Sequence, residues 1–130
     1  MASELKVDKF TGVTTAGSID VTGEGNSTTT NLQQGLVKVW VNYVTAATFV
    51  NNDSFNVASI TDEGAGQALH NFTNAMANAN FSYVGMSNDI SAGASATNKT
   101  TTTCRQHAYS ATPSSVDTNE NNTILSGDLA

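Results

Sequence analysis

The chain has 130 residues, a hydrophobic fraction of 38%, a charged fraction of 12% and a formal net charge of −6. This length suits a single domain. The five basic residues do not cluster, which argues against nucleic-acid binding and against an electrostatic membrane anchor, because both need several Lys or Arg side chains in one patch.

The sequence also lacks the pattern of a membrane span or an export signal. No apolar run approaches the ~20 residues that a membrane-spanning helix needs. The N-terminal segment MASELKVDKF has no apolar core and no small-residue cleavage site, so we expect synthesis in a cytoplasm without a signal peptide. Cys104 is the only cysteine, which excludes an intrachain disulfide and predicts a small buried side chain.

Residues 1–35 differ in composition from the rest of the chain. The alternating run Leu5–Phe10 could form one strand, and a segment rich in Gly, Ser and Thr follows it. Such a segment buries too little apolar surface to fold alone, so it is either a disordered tail or an extended arm that orders against a partner. Its apolar residues favour the arm. The predicted docking residues are Leu5, Val7, Phe10, Ile19 and Val21.

Residues 36–130 alternate between apolar and polar positions, as antiparallel strands with one buried face do. The clearest hairpin loop is Asp62–Gly66, whose two glycines can adopt positive φ. The predicted strands are Leu36–Val44, Ala46–Val50, Ser54–Thr61, Gln67–Phe72, Phe81–Met86, Thr100–Ser110 and a last one around Thr123–Leu125. The predicted connections are a turn at Asn51–Asp53, a crossing at Thr73–Asn80 and a turn at Pro113–Ser115. Seven or eight short strands without a helical period predict an all-β antiparallel sandwich, preceded by the extended N-terminal arm.

The core of this domain is predicted from the aromatic residues of the alternating runs, which are Trp40, Phe55, Phe72 and Phe81. Leu36–Val44 carries apolar residues on both faces, so we expect it to be a central strand. His70 alternates with apolar neighbours and is interpreted as a half-buried strand residue.

The segment Asn88–Asn98 has the low-complexity sequence NDISAGASATN. We predict a mobile or ligand-facing loop there, because binding residues often lie on loops that a rigid scaffold positions. Its candidate ligand contacts are Asp89, Ser91, Ser95 and Asn98.

No group of residues has the spacing of a catalytic or metal site. Cys104 and His107 lie three positions apart, so a strand directs them to opposite faces and prevents them from sharing a metal ion. Asp53, Asp62 and Glu63 lie in predicted turns, where Asp is favoured for backbone hydrogen bonding, and calcium binding there is an alternative. We predict a protein that is not an enzyme and uses no cofactor and no metal.

The segments KVWVNY and DSFNVASITDEGAGQALHNFTNAMANANFSYVG resemble a module of tailed-bacteriophage virion proteins, often described as tail-fibre-like, from phages of marine and freshwater bacteria. Family members tend to carry K-x-W-x-N-F, then D-S-x-N-V-S-S-I-T-D-x-G-x-G, then N-F-x-x-A-M-x-x-A-N-Y. The matching positions are Lys38, Trp40, Asn42, Tyr43, Asp53–Asp62, Gly64, Gly66, Asn71, Phe72, Ala75, Met76, Ala79, Asn80 and Phe81. The resemblance covers residues 31–85 and is weak over 86–122. The chain departs from the pattern at Thr45–Asn52 and at Gln67-Ala68.

The resemblance implies a non-enzymatic structural protein of a tailed-phage virion, of tail-fibre or capsid-decoration (cement) type, docked on the particle through residues 1–35. It implies other capsid or tail proteins as partners, and self-association as a homo-oligomer, with a trimer as the expected form. The alternative is a carbohydrate-binding β-sandwich adhesin that recognises a host surface glycan by stacking sugars on Trp40, Tyr83 or Tyr109.

Overall fold

A computed structural model of the chain describes residues 4–13, 19–22, 29–88, 95–110 and 114–130, and for 95–97 it describes the backbone alone. The chain divides into two compact units, Met1–Leu36 and Val37–Ala130. The first unit contains β1 (Asp20–Thr22), β2 (Thr29–Asn31) and the short helix α1 (Leu32–Gly35). In its described residues the second unit contains β3 (Val37–Val44), β4 (Val50–Phe55), β5 (Val57–Gly64), β6 (Gln67–Phe72), β7 (Ser82–Ser87), β8 (Ser95–Thr97), β9 (Thr103–His107) and β10 (Asn121–Ser126).

The first unit has little regular structure in its described residues. β1 and β2 pair antiparallel, and α1 begins where the Asn31 side chain accepts a hydrogen bond from the backbone N–H of Gln34 at 3.1 Å. Residues 4–13 form no strand, so the strand predicted at Leu5–Phe10 is wrong. Alternation alone did not suffice there, because a strand also needs a neighbour for its backbone hydrogen bonds.

The second unit consists of two antiparallel four-stranded sheets. The first sheet has the order β4-β3-β10-β7, and the second has the order β5-β6-β9-β8. The sheets pack against each other through their inward-facing side chains, which confirms the predicted all-β antiparallel sandwich of about eight strands. β3 lies between β4 and β10, so its prediction as a central strand is also confirmed.

The core between the sheets has two apolar clusters. The larger contains Val39, Phe72, Met76, Phe81, Cys104 and Leu125, and the smaller contains Val41, Tyr43 and Ala68. Phe72 and Phe81 meet edge to face, with ring centroids 5.9 Å apart. The predictions of buried Phe72, Phe81 and Cys104 are therefore confirmed. Burial raises the pKa of Cys104 to about 11, so this thiol stays protonated at neutral pH.

A buried polar cluster joins the two sheets beside the apolar core. The Asn121 side-chain oxygen accepts hydrogen bonds from the Thr118 hydroxyl at 2.8 Å and the Ser87 hydroxyl at 2.5 Å. Gln106 on β9 contacts the same oxygen and accepts a hydrogen bond from Thr123 on β10. Buried amides are tolerated only where such partners exist, so this cluster fixes the position of β9 against β10.

Asn56 is the point at which the chain leaves the first sheet for the second. Its φ is +60°, a left-handed conformation that Asn tolerates better than most residues. Its side-chain oxygen accepts a hydrogen bond from the Asn74 N–H at 2.7 Å, and its amide donates to the Lys38 carbonyl at 3.1 Å. The single strand predicted over Ser54–Thr61 is therefore wrong, because it spans the end of β4 and the start of β5.

Other predicted boundaries also change. Asn51–Asp53, predicted as a turn, lies inside β4, which pairs with β3. The strand predicted over Thr100–Ser110 shortens to Thr103–His107, because the Thr100 hydroxyl accepts hydrogen bonds from the N–H groups of Thr102 and Thr103 and forms a turn. The hairpin at Asp62–Gly66 is confirmed, with positive φ at Gly64 and Gly66. Part of the turn predicted at Pro113–Ser115 lies outside the described residues.

Candidate binding surface

The outer face of the first sheet carries a continuous row of large apolar side chains. Phe55 on β4 pairs with Trp40 on β3, and Trp40 pairs with Ile124 on β10. Ile124 pairs with Val84 on β7, and Met86 follows two positions further along the same face. Their exposed fractions are 36% for Trp40, 51% for Phe55, 47% for Ile124, 60% for Val84 and 68% for Met86. We call these five residues the apolar patch.

The apolar patch corrects two predictions about the core. Trp40 and Phe55 were expected to be buried, but both lie on the outer face. The reason is the period of the strand, because neighbouring residues point to opposite faces. Val39 and Val41 face the second sheet, so Trp40 between them faces outward, and its cross-strand partner Phe55 must share that face.

A ladder of polar side chains borders the apolar patch. Asn42 on β3 donates hydrogen bonds to the Asn122 side-chain oxygen at 2.8 Å and to Glu120 at 3.3 Å. The Asn42 side-chain oxygen accepts a hydrogen bond from Asn52 at 2.7 Å. Asn122 also donates to Glu120 at 3.1 Å. Asn42 lies two positions after Trp40 on β3, so these hydrogen bonds hold amide groups in defined orientations beside the Trp40 ring.

A shallow groove lies at the β7 and β10 side of the same face. Its volume is about 340 Å³. The residues that line it are Val84, Met86, Ser87, Asn88, Glu120, Asn122 and Ile124. Apolar walls with a carboxylate and two amides at one end suit a ligand with both apolar and hydrogen-bonding surface.

The predicted docking residues lie in the first unit. Leu5, Val7, Phe10 and Val21 have exposed side chains, and Ile19 is half-buried. The Ile19 carbonyl accepts a hydrogen bond from the Leu32 N–H at 2.8 Å, which ties the start of β1 to α1. Exposed apolar side chains are what docking on a partner needs.

The ligand-facing loop predicted over Asn88–Asn98 is described only at Asn88 and at residues 95–98, and the loop prediction is wrong over Ser95–Thr97, which form β8. Asp89 and Ser91 lie outside the described residues, and Ser95 begins β8. Asn98 is exposed with a φ of +48°, and its amide oxygen, oriented toward the donors, accepts from Arg105 at 2.9 and 3.0 Å. Asn98 therefore serves to place Arg105, which also forms an ion pair with Glu63.

The other candidate acidic residues bind the backbone of their own segments. The Asp62 carboxylate accepts a hydrogen bond from the Gly64 N–H at 2.9 Å, and Asp53 accepts one from the Ser54 N–H at 2.8 Å. Among the described residues, no group of three or more His, Cys, Asp or Glu side chains is placed to hold a metal ion.

His70 is more deeply buried than expected. It is fully buried rather than half-buried, because β6 is a central strand and the side chain of His70 faces the first sheet. Its ring meets Tyr43 edge to face at 5.1 Å, and its two ring nitrogens have no hydrogen-bond partner in the described part of the chain. Burial lowers the pKa of His70 to about 4, so the ring is neutral at pH 7.

His107 lies at the end of β9 between two hydroxyl groups. Its Nε2 is 2.7 Å from the Ser115 hydroxyl, and its Nδ1 is 2.6 Å from the Tyr109 hydroxyl. Burial lowers the pKa of His107, and the charge of Arg105 adds to this effect. A serine beside a histidine is one part of a nucleophilic site, which also needs converging oxyanion donors. Tyr109 and Ser115 are joined by a β-bridge, so the hydrogen bonds of His107 hold these two residues, which follow β9 in the chain, against the end of β9.

The strand period places Cys104 and His107 on opposite faces, as predicted. Cys104 is in the core and His107 is half-buried on the outer side of the second sheet. Of the three aromatic residues considered for sugar stacking, Trp40 lies on the open outer face. Tyr83 packs against the core, and Tyr109 packs against His107 with ring centroids 4.0 Å apart.

Comparisons with protein-family models, with curated proteins and with solved structures found no match to this chain. In the described residues, no helix has the length and apolar character needed to cross a membrane.

Proposed function

We propose that the chain is a non-enzymatic structural protein of a tailed-phage virion, a surface-exposed β-domain of tail-fibre or capsid-decoration type. The observation that carries the proposal is the apolar patch. It places Trp, Phe, Ile, Val and Met side chains on one outer sheet face, and its row of four paired residues contains no charged side chain. Aromatic residues and Met are enriched, and charges depleted, at the centre of protein interfaces.

The family resemblance gives this contact surface its biological setting. A virion surface protein must resist proteolysis and must attach to a particle. This chain has one cysteine, so its resistance to proteolysis cannot come from an intrachain disulfide. The sandwich supplies closely packed strands, and the buried polar cluster around Asn121 and Gln106 joins its two sheets. The partners in this proposal are other capsid or tail proteins, and the site of action is the assembled virion.

In this proposal residues 1–35 attach the domain to the particle. The exposed Leu5, Val7 and Phe10 side chains would be covered by a neighbouring virion protein. Deletion of residues 1–30 is expected to leave a cooperatively folded β-domain with little change in melting temperature, but to abolish incorporation into particles. A truncated chain that is unfolded contradicts the division into an arm and an independent domain. Normal incorporation of a folded truncated chain contradicts the docking role of the arm.

The number of copies in each particle then separates the two locations. Hundreds of copies indicate capsid decoration and a handful indicates the tail. Quantitative mass spectrometry of purified particles, with a capsid protein of known copy number as the internal standard, gives this number. Absence of the chain from purified particles contradicts the proposed function.

A second candidate function is glycan binding by an adhesin, and the exposure of Trp40 favours it. Sugar rings stack on exposed aromatic faces, and the amides of Asn42 and Asn122 lie beside Trp40 to bind hydroxyl groups. Under this candidate, Trp40→Ala abolishes glycan binding while the chain stays cooperatively folded. Screening the full chain and this variant against host-surface oligosaccharides tests the candidate, and it fails if the full chain binds none of them.

A further inference from the structure

We infer that the apolar patch is a two-fold interface with a second copy of this chain. The inference deepens the proposed function, on whose structural role it rests, by naming a partner for this face. It depends on the composition of the patch, on its exposed area and on the order of its residues across the sheet.

The area of the apolar patch matches what a homodimer needs. Its five side chains are 36–68% exposed. At about 200 Å² for a large side chain, these fractions leave on the order of 500 Å² of apolar surface open to solvent. A standard interface buries about 800 Å² on each partner, and about 65% of a homodimer interface is apolar. The apolar patch therefore exposes about as much apolar surface as one partner buries in such an interface.

The order of residues across the sheet makes the patch self-complementary. The aromatic residues Phe55 and Trp40 lie on β4 and β3, and the aliphatic residues Ile124 and Val84 lie on β10 and β7. The middle of the row falls between β3 and β10, the two central strands. A two-fold axis parallel to the strands at this midpoint turns the aromatic half of one copy over the aliphatic half of the other.

In this arrangement Trp40 of each copy packs on Ile124 of the other, and Phe55 packs on Val84. Two sheet faces pack in this way at about 10 Å separation, as they do inside a β-sandwich. The same two-fold rotation applies to the next row of side chains, which has the order Asp53, Asn42, Asn122 and Met86 across the sheet. Asn42 therefore meets an amide, and Asp53 meets Met86 rather than a second carboxylate.

The test is sedimentation of the full chain over a range of concentrations, with two matched variants. Ile124→Asp introduces a charge at the centre of the patch, at a position exposed enough to leave the fold intact. Thr61→Asp introduces the same charge at an exposed position on the second sheet. We expect the full chain and Thr61→Asp to sediment as dimers, and Ile124→Asp to sediment as a monomer with a cooperative thermal transition.

Trp40 gives a second readout because it is the only tryptophan in the chain. Its emission is expected to shift to longer wavelength when the dimer is diluted, and to be shifted at every concentration in the Ile124→Asp variant. This signal reports on the face itself, so it separates loss of this contact from dissociation at another surface.

Cross-linking tests the two-fold order of the row. Phe55 and Val84 lie on the two edge strands, about 14 Å apart within one copy. In the proposed dimer they face each other between copies. A chain carrying both Phe55→Cys and Val84→Cys should therefore give a covalent dimer with a bismaleimide that is too short to span one sheet. The native Cys104 is buried and does not compete for the reagent.

Three results overturn the inference. They are a monomeric full chain at every soluble concentration, an oligomer that Ile124→Asp does not dissociate, and a trimer of the kind that the family resemblance implies. A monomer whose Trp40 emission responds to a host oligosaccharide assigns the face to glycan binding instead. A monomeric chain that is present in purified particles contradicts this inference alone, and a dimeric chain that is absent from them contradicts the proposed function alone.

Discussion

Replacement of the buried His70 should remove a large part of the acid sensitivity of this domain. His70 is fully buried with no hydrogen-bond partner for its ring nitrogens among the described residues, and its pKa is lowered from 6.5 to about 4 by burial. The ring of Tyr43 meets the His70 ring edge to face, and the cross-strand partners of His70 are Ile60 and Cys104. The protonated form of His70 is therefore favoured in the unfolded chain.

The sign and the size of the effect follow from this difference in pKa. A group whose pKa is lowered by folding contributes stability that is fully present above its unfolded pKa of 6.5 and is lost as the pH falls toward 4. A shift of one pKa unit corresponds to about 1.4 kcal/mol, so the complete loss is about 3 kcal/mol, of which about 2 kcal/mol has occurred at pH 5. This loss is a substantial fraction of the stability of a typical domain.

The measurement is the free energy of unfolding by urea at about pH 7.5 and at about pH 5. These two values lie above and below the pKa of 6.5 that His70 has in the unfolded chain. We expect the full chain to lose about 2 kcal/mol more than His70→Met, which has a similar volume and no titrating group. His107→Gln serves as the control, because it removes the half-buried histidine and should keep most of the pH dependence. Equal pH dependence in the full chain and in His70→Met refutes the reasoning.

Three further predictions concern packing and reactivity. Phe72→Ala should cost roughly 3–5 kcal/mol of unfolding free energy, because Phe72 is buried against the core. Trp40→Ala should cost less in the monomer, about 2–3 kcal/mol, because Trp40 lies on the outer face and is 36% exposed; urea unfolding of both variants compares them directly. Gly85→Ala should lower the melting temperature, since a Cβ there would lie 1.9 Å from the Tyr83 hydroxyl, and the cost should be about 1–3 kcal/mol; an unchanged melting curve contradicts this packing. Cys104 should resist a thiol reagent at pH 8 until urea unfolds the chain, because burial raises its pKa to about 11; rapid labelling of the folded chain is the opposing result.

Locally determined features were predictable from the sequence because their cause lies in the residues themselves. The Asp62–Gly66 hairpin needs residues that adopt positive φ, and Gly64 and Gly66 supply them. The class of fold also follows from the alternating runs and from the absence of a helical period. The break at Asn56 was missed, because an asparagine at positive φ is a weak local signal and its hydrogen bonds to Asn74 and Lys38 involve residues 18 positions away.

The period of a strand determines which residues share a face, but it leaves open which face is buried. On β3 the sequence places Val39 and Val41 on one side and Trp40 on the other, and Trp40 is the largest of the three. Only the pairing of β3 with β4 and β10, and the packing of the second sheet, decided that the valines are buried and that Trp40 lies on the outer face. The apolar patch arises from cross-strand register between residues up to 84 positions apart in the chain, such as Trp40 and Ile124. The sequence by itself thus determined the class of fold and the alternation of side chains along each strand. The tertiary structure decided several strand boundaries and the binding surface, because pairing and burial depend on which strands become neighbours.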